Sequence, residues 1–372
     1  MPGSALASRP VARHAARLPA IGGACRPRRP ALAVAVLVTL LIGLAVVPPG
    51  DAAAGRRPRP RHELKIATLA PDGSTWMKIM RAMDEAIREA TENRVGIKFY
   101  PGGVQGDEFI VLRKIGLGQV QGGGFTGQGL GAIAPELRVL EVPFLFDNYD
   151  EVDRVRQELD PVFEGILADK GYALLGWADV GFVYLFTNRP VTTPDDLRDV
   201  KMWLWEGDPL ATAFYEAFDI SPIPLALTDV LTALQTGLVD GVYGTPLSCV
   251  ALQWFTRIGY MTHFPLVYGT GAMVVDRRAW EKIPEADRAI VREVADRHFA
   301  ELIAATRQGD REAIETMRER GIEILEIDAA EARDFVETGR AVRYEQAGTL
   351  YPRALLDRVE AVLAEMRAAS GD

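Results

Sequence analysis

Cysteine is nearly absent: the 372 residues contain two, Cys25 and Cys249. Cys25 lies in an N-terminal stretch that reads as removable, so the rest of the chain holds one thiol and can form no internal disulfide. Cys249 is then expected as a small core hydrophobe. Histidine is almost as scarce, with four in the chain. None of His62, His263 and His298 has a Cys or His at metal-ligand spacing. No Lys follows a Gly, which excludes a Walker A loop, and none of Ser74, Ser221 and Ser248 sits in G-x-S-x-G. Basic charge is short as well. Net charge is −9, and residues 1–54 carry six Arg against one acid, leaving 36 basic and 50 acidic residues, or −14, in the remainder. Such a body is unsuited to tracking nucleic acid by charge.

Long apolar stretches are missing too, apart from one. Ala31 to Val47 runs 17 residues without a charge, short of the ~20 that span a bilayer. Arginines precede it, and Pro48-Pro49-Gly50-Asp51-Ala52-Ala53-Ala54 follows. This is the layout of a secretory signal cleaved after Ala54, with an uncleaved anchor as the alternative. Arg28-Arg29 is a weak twin-arginine signal because Pro30 follows, and Cys25 precedes the apolar core, where no lipoprotein cysteine belongs. The implied destination is a bacterial periplasm or cell surface.

What is present is an α/β alternation. After a linker over 55–62, Glu63 to Leu69 alternates as a strand, and Asp72-Gly73-Ser74 reads as a turn and helix cap. Apolar residues at 76, 79, 80, 83, 86, 87 and 90 give a helix, and Val95 to Tyr100 gives a second strand. A helix over Asp107 to Ile115 and a glycine-broken strand over Gln119 to Phe125 follow, which together imply a largely parallel sheet. Further on, strands are expected at 172–177, 182–187, 201–205, 238–243 and 322–327. Helices are expected after Thr193 and from Thr228 to Gln235, the latter closed by Gly237. One long amphipathic helix runs from Pro284 to about Arg320 with a break expected near Gln308-Gly309-Asp310, and two more cover about 329–346 and 352–368.

Gly122 to Gly127 satisfies G-x-G-x-x-G with Glu141 about 20 residues on, as a dinucleotide site requires. It follows the third strand rather than the first, so it reads instead as a flexible loop with backbone exposed to a cleft.

The runs Pro194-Asp195-Asp196-Leu197-Arg198-Asp199-Val200-Lys201 and Thr232-Ala233-Leu234-Gln235-Thr236-Gly237-Leu238-Val239-Asp240-Gly241 resemble the DctP family. So do Leu140-Glu141-Val142-Pro143-Phe144-Leu145-Phe146 and Lys170-Gly171-Tyr172 to Gly176. These are the extracytoplasmic solute-binding proteins of tripartite ATP-independent periplasmic (TRAP) transporters. The resemblance spans roughly Leu64 to Asp328. It implies a clamshell of two α/β lobes with a long helix crossing both: lobe I over 63–180 and 270–328, lobe II over 181–269, and C-terminal helices over 329–372. It also implies delivery of a captured solute to inner-membrane subunits, and the absence of a catalytic constellation or cofactor motif, read from the residues, agrees with it; the C-terminal helices leave a homodimer open.

The departures from that family concern the ligand. Its members carry K-I/L-R-V, whose Arg pairs with a substrate carboxylate, a role suited to a planar bidentate donor. Here Lys201-Met202-Trp203-Leu204-Trp205 puts Trp203 in that place, and Val183 replaces a second Arg in Gly181-Phe182-Val183-Tyr184. The usual Asn-Pro is replaced within Val242-Tyr243-Gly244-Thr245-Pro246. Strand alternation sends Trp203 and Trp205 to one face. The expected ligand is therefore neutral, apolar or aromatic, since indoles leave a carboxylate without a partner. The alternatives are core tryptophans with Arg189 or Arg257 supplying the charge, and a cation preference from Glu206 and Asp208. Other cleft candidates are Trp76, Phe125, Gln128, Trp177, Tyr184, Gln235, Tyr243 and Thr245. A sensor-associated binding protein would share all of this. An exported enzyme would have to work with Glu206, Asp208 and Asp240.

Overall fold

The computed structural model describes residues 58–370. The expected signal segment and the first part of the linker lie outside the described residues. The linker is one residue shorter than expected, because His62 already pairs with Val95. Nine strands are present among the described residues: β1 (His62–Thr68), β2 (Val95–Tyr100), β3 (Gly122–Thr126), β4 (Tyr172–Thr187), β5 (Trp203–Trp205), β6 (Ile223–Leu225), β7 (Gly241–Gly244), β8 (Tyr260–Asp276) and β9 (Glu323–Leu325).

The first helix, Thr75–Ala90, forms for the reasons its sequence gives. The Ser74 side chain accepts from the Met77 amide and caps it, and Ile79, Met80, Met83 and Ile87 bury one face. That face packs with β1, β2 and the far part of the chain in one core, which includes Val291, Phe299 and Leu302.

The sheet is mixed, which corrects the expectation of a largely parallel one. Its order is β2-β1-β3-β8-β4-β7, with β9 beside β8. Only the β2-β1-β3 half and the β8-β9 pair are parallel. The β3-β8, β8-β4 and β4-β7 pairs are antiparallel. The reason is β4 and β8, strands of 16 and 17 residues that pair along nearly their whole length. The two short strands expected at 172–177 and 182–187 are one strand. Register shifts at Leu174/Gly176, Asp179/Gly181 and Val183/Leu185 break its alternation without ending it. A second, two-stranded sheet pairs β5 with β6 in parallel.

The long helix Glu285–Glu319 runs 35 residues without the expected break. Gly309 lets it close on Leu247, whose side chain lies 3.2 Å from where a Cβ would stand, and Asp310 accepts the Leu247 amide at 2.9 Å. At about 1.5 Å per residue it is about 50 Å long. It joins two cores. Its first half packs with β1 and β2, and Met317 near its end packs with Trp203, Val230 and Trp254. The helices Ala329–Glu345 and Arg353–Ser370 fold back on the same chain, burying Phe335 beside Phe218 and placing Leu356 and Val359 in the core that holds Leu159 and Phe163. The helix Tyr149–Asp169 and strand β8 are additions that the sequence pattern does not signal.

Candidate functional site

A cavity of about 190 Å³ opens where β4 and β8 cross from one core to the other. Val180, Val183 and Leu185 of β4 and Leu266, Val267 and Gly269 of β8 supply its floor. One side is built by Thr126, Gly127 and Gln128 at the end of β3, with Arg138 and Glu141 from the 3-10 turn Pro135–Glu141. The other side is Trp203 and Trp205 on β5, Tyr243 on β7, and Trp254, Tyr215 and Phe214 behind them.

The aromatic wall is tightly fixed. Trp203 stacks on Tyr243 with ring centroids 4.8 Å apart and planes at 18°, and meets Trp254 edge-on at 5.5 Å. Its indole N–H donates to the Leu225 carbonyl at 3.0 Å, and that of Trp205 donates to the Asp107 carboxylate at 3.4 Å. The Trp205 amide donates to the Tyr243 hydroxyl. With those N–H groups already used, what little ring surface reaches the cavity is apolar, Trp203 being 1% exposed and Trp205 9%.

Charge enters through three buried side chains. Arg138 donates to Asp208 at 2.8 Å and pairs with Glu141 at 3.0 Å, and all three are at most 8% exposed. Asp208 also caps the helix Pro209–Ala217, accepting from the Leu210 and Ala211 amides. Glu141 accepts the Thr270 amide at 2.8 Å. Burial holds the Glu141 carboxyl above its usual range, against the pull of Arg138 and of the Thr270 amide. The guanidinium of Arg138 is thus committed to two carboxylates, while its Nε has no hydrogen-bond partner.

Of the residues expected at the cleft, Trp203, Trp205, Val183, Gln128, Tyr243 and Thr245 line this cavity together. Tyr184 does not: it alternates with Val183 on β4 and stacks on His263 with centroids 5.7 Å apart. Phe125 and Trp177 are core residues, Trp177 lying under the Arg156 guanidinium. Trp76 packs beneath Gly124. Gln235 and Glu206 are exposed, and only the backbone carbonyl of Glu206 faces this side, accepting from Gln128 at 3.3 Å. Arg189 and Arg257 are exposed and outside the cavity. Asp208 lines the cavity as a buried helix cap and ion-pair partner.

Arg138 escapes the sequence reading. Its one sequence signal is an Arg and a Glu three residues apart inside the apolar run Leu137–Phe146, a spacing that suits a pair sharing one side of a turn. The glycine-rich motif is not an exposed loop. It forms β3 and the start of the helix Gly127–Ile133, and a Cβ on Gly127 would collide with the Glu141 carboxylate. Its glycines admit neighbours at close range.

Residues 66–348 match the DctP family, bacterial extracellular solute-binding protein, family 7. A solute-binding protein of Chromohalobacter salexigens is 27% identical over 253 residues, 68% of this chain and 75% of its own. The C4-dicarboxylate-binding periplasmic protein DctP of Rhodobacter capsulatus is 26% identical over 292 residues, 76% of this chain and 84% of its own. A TRAP periplasmic solute-binding protein from Ralstonia eutropha, solved with bound (S)-2-acetolactate, superposes with a TM-score of 0.76 at 24% identity, covering 82% of this chain and 99% of that one. The shared fold is a mixed α/β architecture of two lobes.

Proposed function

Because the chain belongs to the DctP family of bacterial extracellular solute-binding proteins, we propose that it captures a small solute in the cavity between β4, β8 and the Trp203 wall and hands it to TRAP membrane subunits. The family consists of solute-binding proteins, not enzymes, and is periplasmic. No helix among the described residues is long and apolar enough to cross a membrane. The lobes are assigned as 63–180 with 270–328, and 181–269. That division is supported by Gly181 pairing with Gly269 beside the Asp179/Gly181 bulge, a point in both crossing strands that can bend. Ligand contact with both sides would then favour the closed form by its higher affinity for it.

The ligand is assigned an apolar or aromatic body and no free carboxylate. One observation carries this: the guanidinium in the cavity already holds Asp208 and Glu141. Trp203, at the place where the resemblance expects a carboxylate-binding Arg, agrees with it. A second reading, an organic acid, is favoured by the names of the Rhodobacter and Ralstonia relatives. Native mass spectrometry of gently purified protein, with identification of the released molecule, separates them. A compound without a carboxylate, retained by the wild type and lost in Trp203→Ala, is expected. A small carboxylate lost in Arg138→Gln would overturn the assignment.

A further inference from the structure

We infer that the solute bound here carries one soft positive charge, such as a quaternary ammonium, seated at the Asp208–Arg138–Glu141 cluster beside the rings of Trp205 and Tyr243. This rests on the cavity being the ligand site and deepens that reading by fixing the charge of its occupant.

The argument is electrostatic. Arg138, Glu141 and Asp208 are the charged side chains among the lining residues, and two carboxylates against one guanidinium leave an excess of −1. Amides of Leu210, Ala211 and Thr270 steady the carboxylates without cancelling that charge. A ligand that fills the cavity expels the water that screens it, and an uncompensated buried charge is costly. An anion would raise the excess to −2. A neutral molecule would leave it unchanged. An organic cation cancels it, and the rings of Trp205 and Tyr243, which line the same cavity, attract such a cation through their quadrupoles.

The test uses three molecules of nearly one shape: choline, its uncharged isostere 3,3-dimethyl-1-butanol, and the acid 3,3-dimethylbutanoate. Calorimetric titration of the full chain should give choline an advantage of about tenfold or more over the alcohol. Asp208→Asn keeps a capping side chain but brings the cluster to neutrality, and should erase that advantage with the melting transition still cooperative. Glu141→Gln is the second variant, expected to act in the same direction. Equal or tighter binding of the alcohol would overturn the charge inference while leaving the proposed solute class standing. Tightest binding of the acid would overturn both. Binding of none at millimolar concentration by cooperatively folded protein would overturn the cation inference alone, because native mass spectrometry tests the solute reading independently.

Discussion

Asp310→Asn should make the protein more stable at alkaline pH than the wild type, and much less so in mild acid. Asp310 sits on the long helix, 7% exposed, accepting the Leu247 amide at 2.9 Å and the Tyr149 hydroxyl at 3.2 Å. Burial pushes its carboxyl up to about 7; the Leu247 amide pulls the other way, and the Asp179 charge adds to the rise. A carboxyl whose folded pKa is raised stabilises the fold, relative to its ionised state, below its unfolded value, and that stability is lost as pH rises through the folded value. From an unfolded value near 3.8 to about 7, the loss is at most about 4 kcal/mol at 1.36 kcal/mol per unit. Asparagine keeps the shape, still accepts the Leu247 amide through its oxygen, and carries no charge. The variant's advantage in urea unfolding should therefore widen by roughly 2–3 kcal/mol between about pH 5 and about pH 8.5. Subtracting wild type from variant at each pH removes every other titrating group shared by the two. A difference that stays flat, or shrinks, would refute the rise of this carboxyl in the fold.

Arg138→Met strands Asp208 and Glu141 without their cation. Equilibrium unfolding should show a loss of about 3–5 kcal/mol, reduced when Asp208→Asn and Glu141→Gln are added, and no loss would mean the triad is not buried as described. Gly127→Ala drives a Cβ into the Glu141 carboxylate, so a drop of about 1–3 kcal/mol is expected from overpacking, read as a lower melting temperature. Asp179→Asn acts at a fully buried side chain that takes Arg156 at 3.0 Å, Arg307 at 2.6 Å and the Tyr268 hydroxyl at 2.5 Å. It should cost about 3–5 kcal/mol. An unchanged denaturation midpoint would show that the two arginines find other partners.

Sequence periodicity reaches those parts of the fold where local pattern and tertiary role coincide. Ser74 caps and the 3.6-residue repeat from Trp76 onward buries one face, so helix Thr75–Ala90 is legible in full. Trp203 and Trp205 share a face because strand side chains alternate, and their ring centroids lie 5.9 Å apart. Where the two roles part, the pattern misleads. Strand β4 reads as two strands because its bulges reset the alternation at the place where it crosses between cores. The run Gln308-Gly309-Asp310 reads as a break in the long helix, yet each residue has a helical role. Gln308 is joined to Glu312 one turn on, Gly309 makes room for Leu247, and Asp310 accepts the Leu247 amide. Only the folded chain supplies Leu247, so nothing local could have shown why a glycine stands there.

The cavity shows the same division at the level of charge. Its aromatic half is carried by residues on strands, where alternation predicts a face. Its charged half is not: Arg138 and Glu141 lie in a 3-10 turn with no amphipathic period, and their partner Asp208 is 70 residues from Arg138. A lone arginine in an apolar run says that a carboxylate is needed but not which one. Reading Trp203 as a replaced arginine therefore identifies what the wall lacks, while the charge balance of the site depends on a pairing that only folding brings together. That is why the sequence could offer both a neutral ligand and a cation as expectations, while the pairing that decides the charge balance is visible only in the structure.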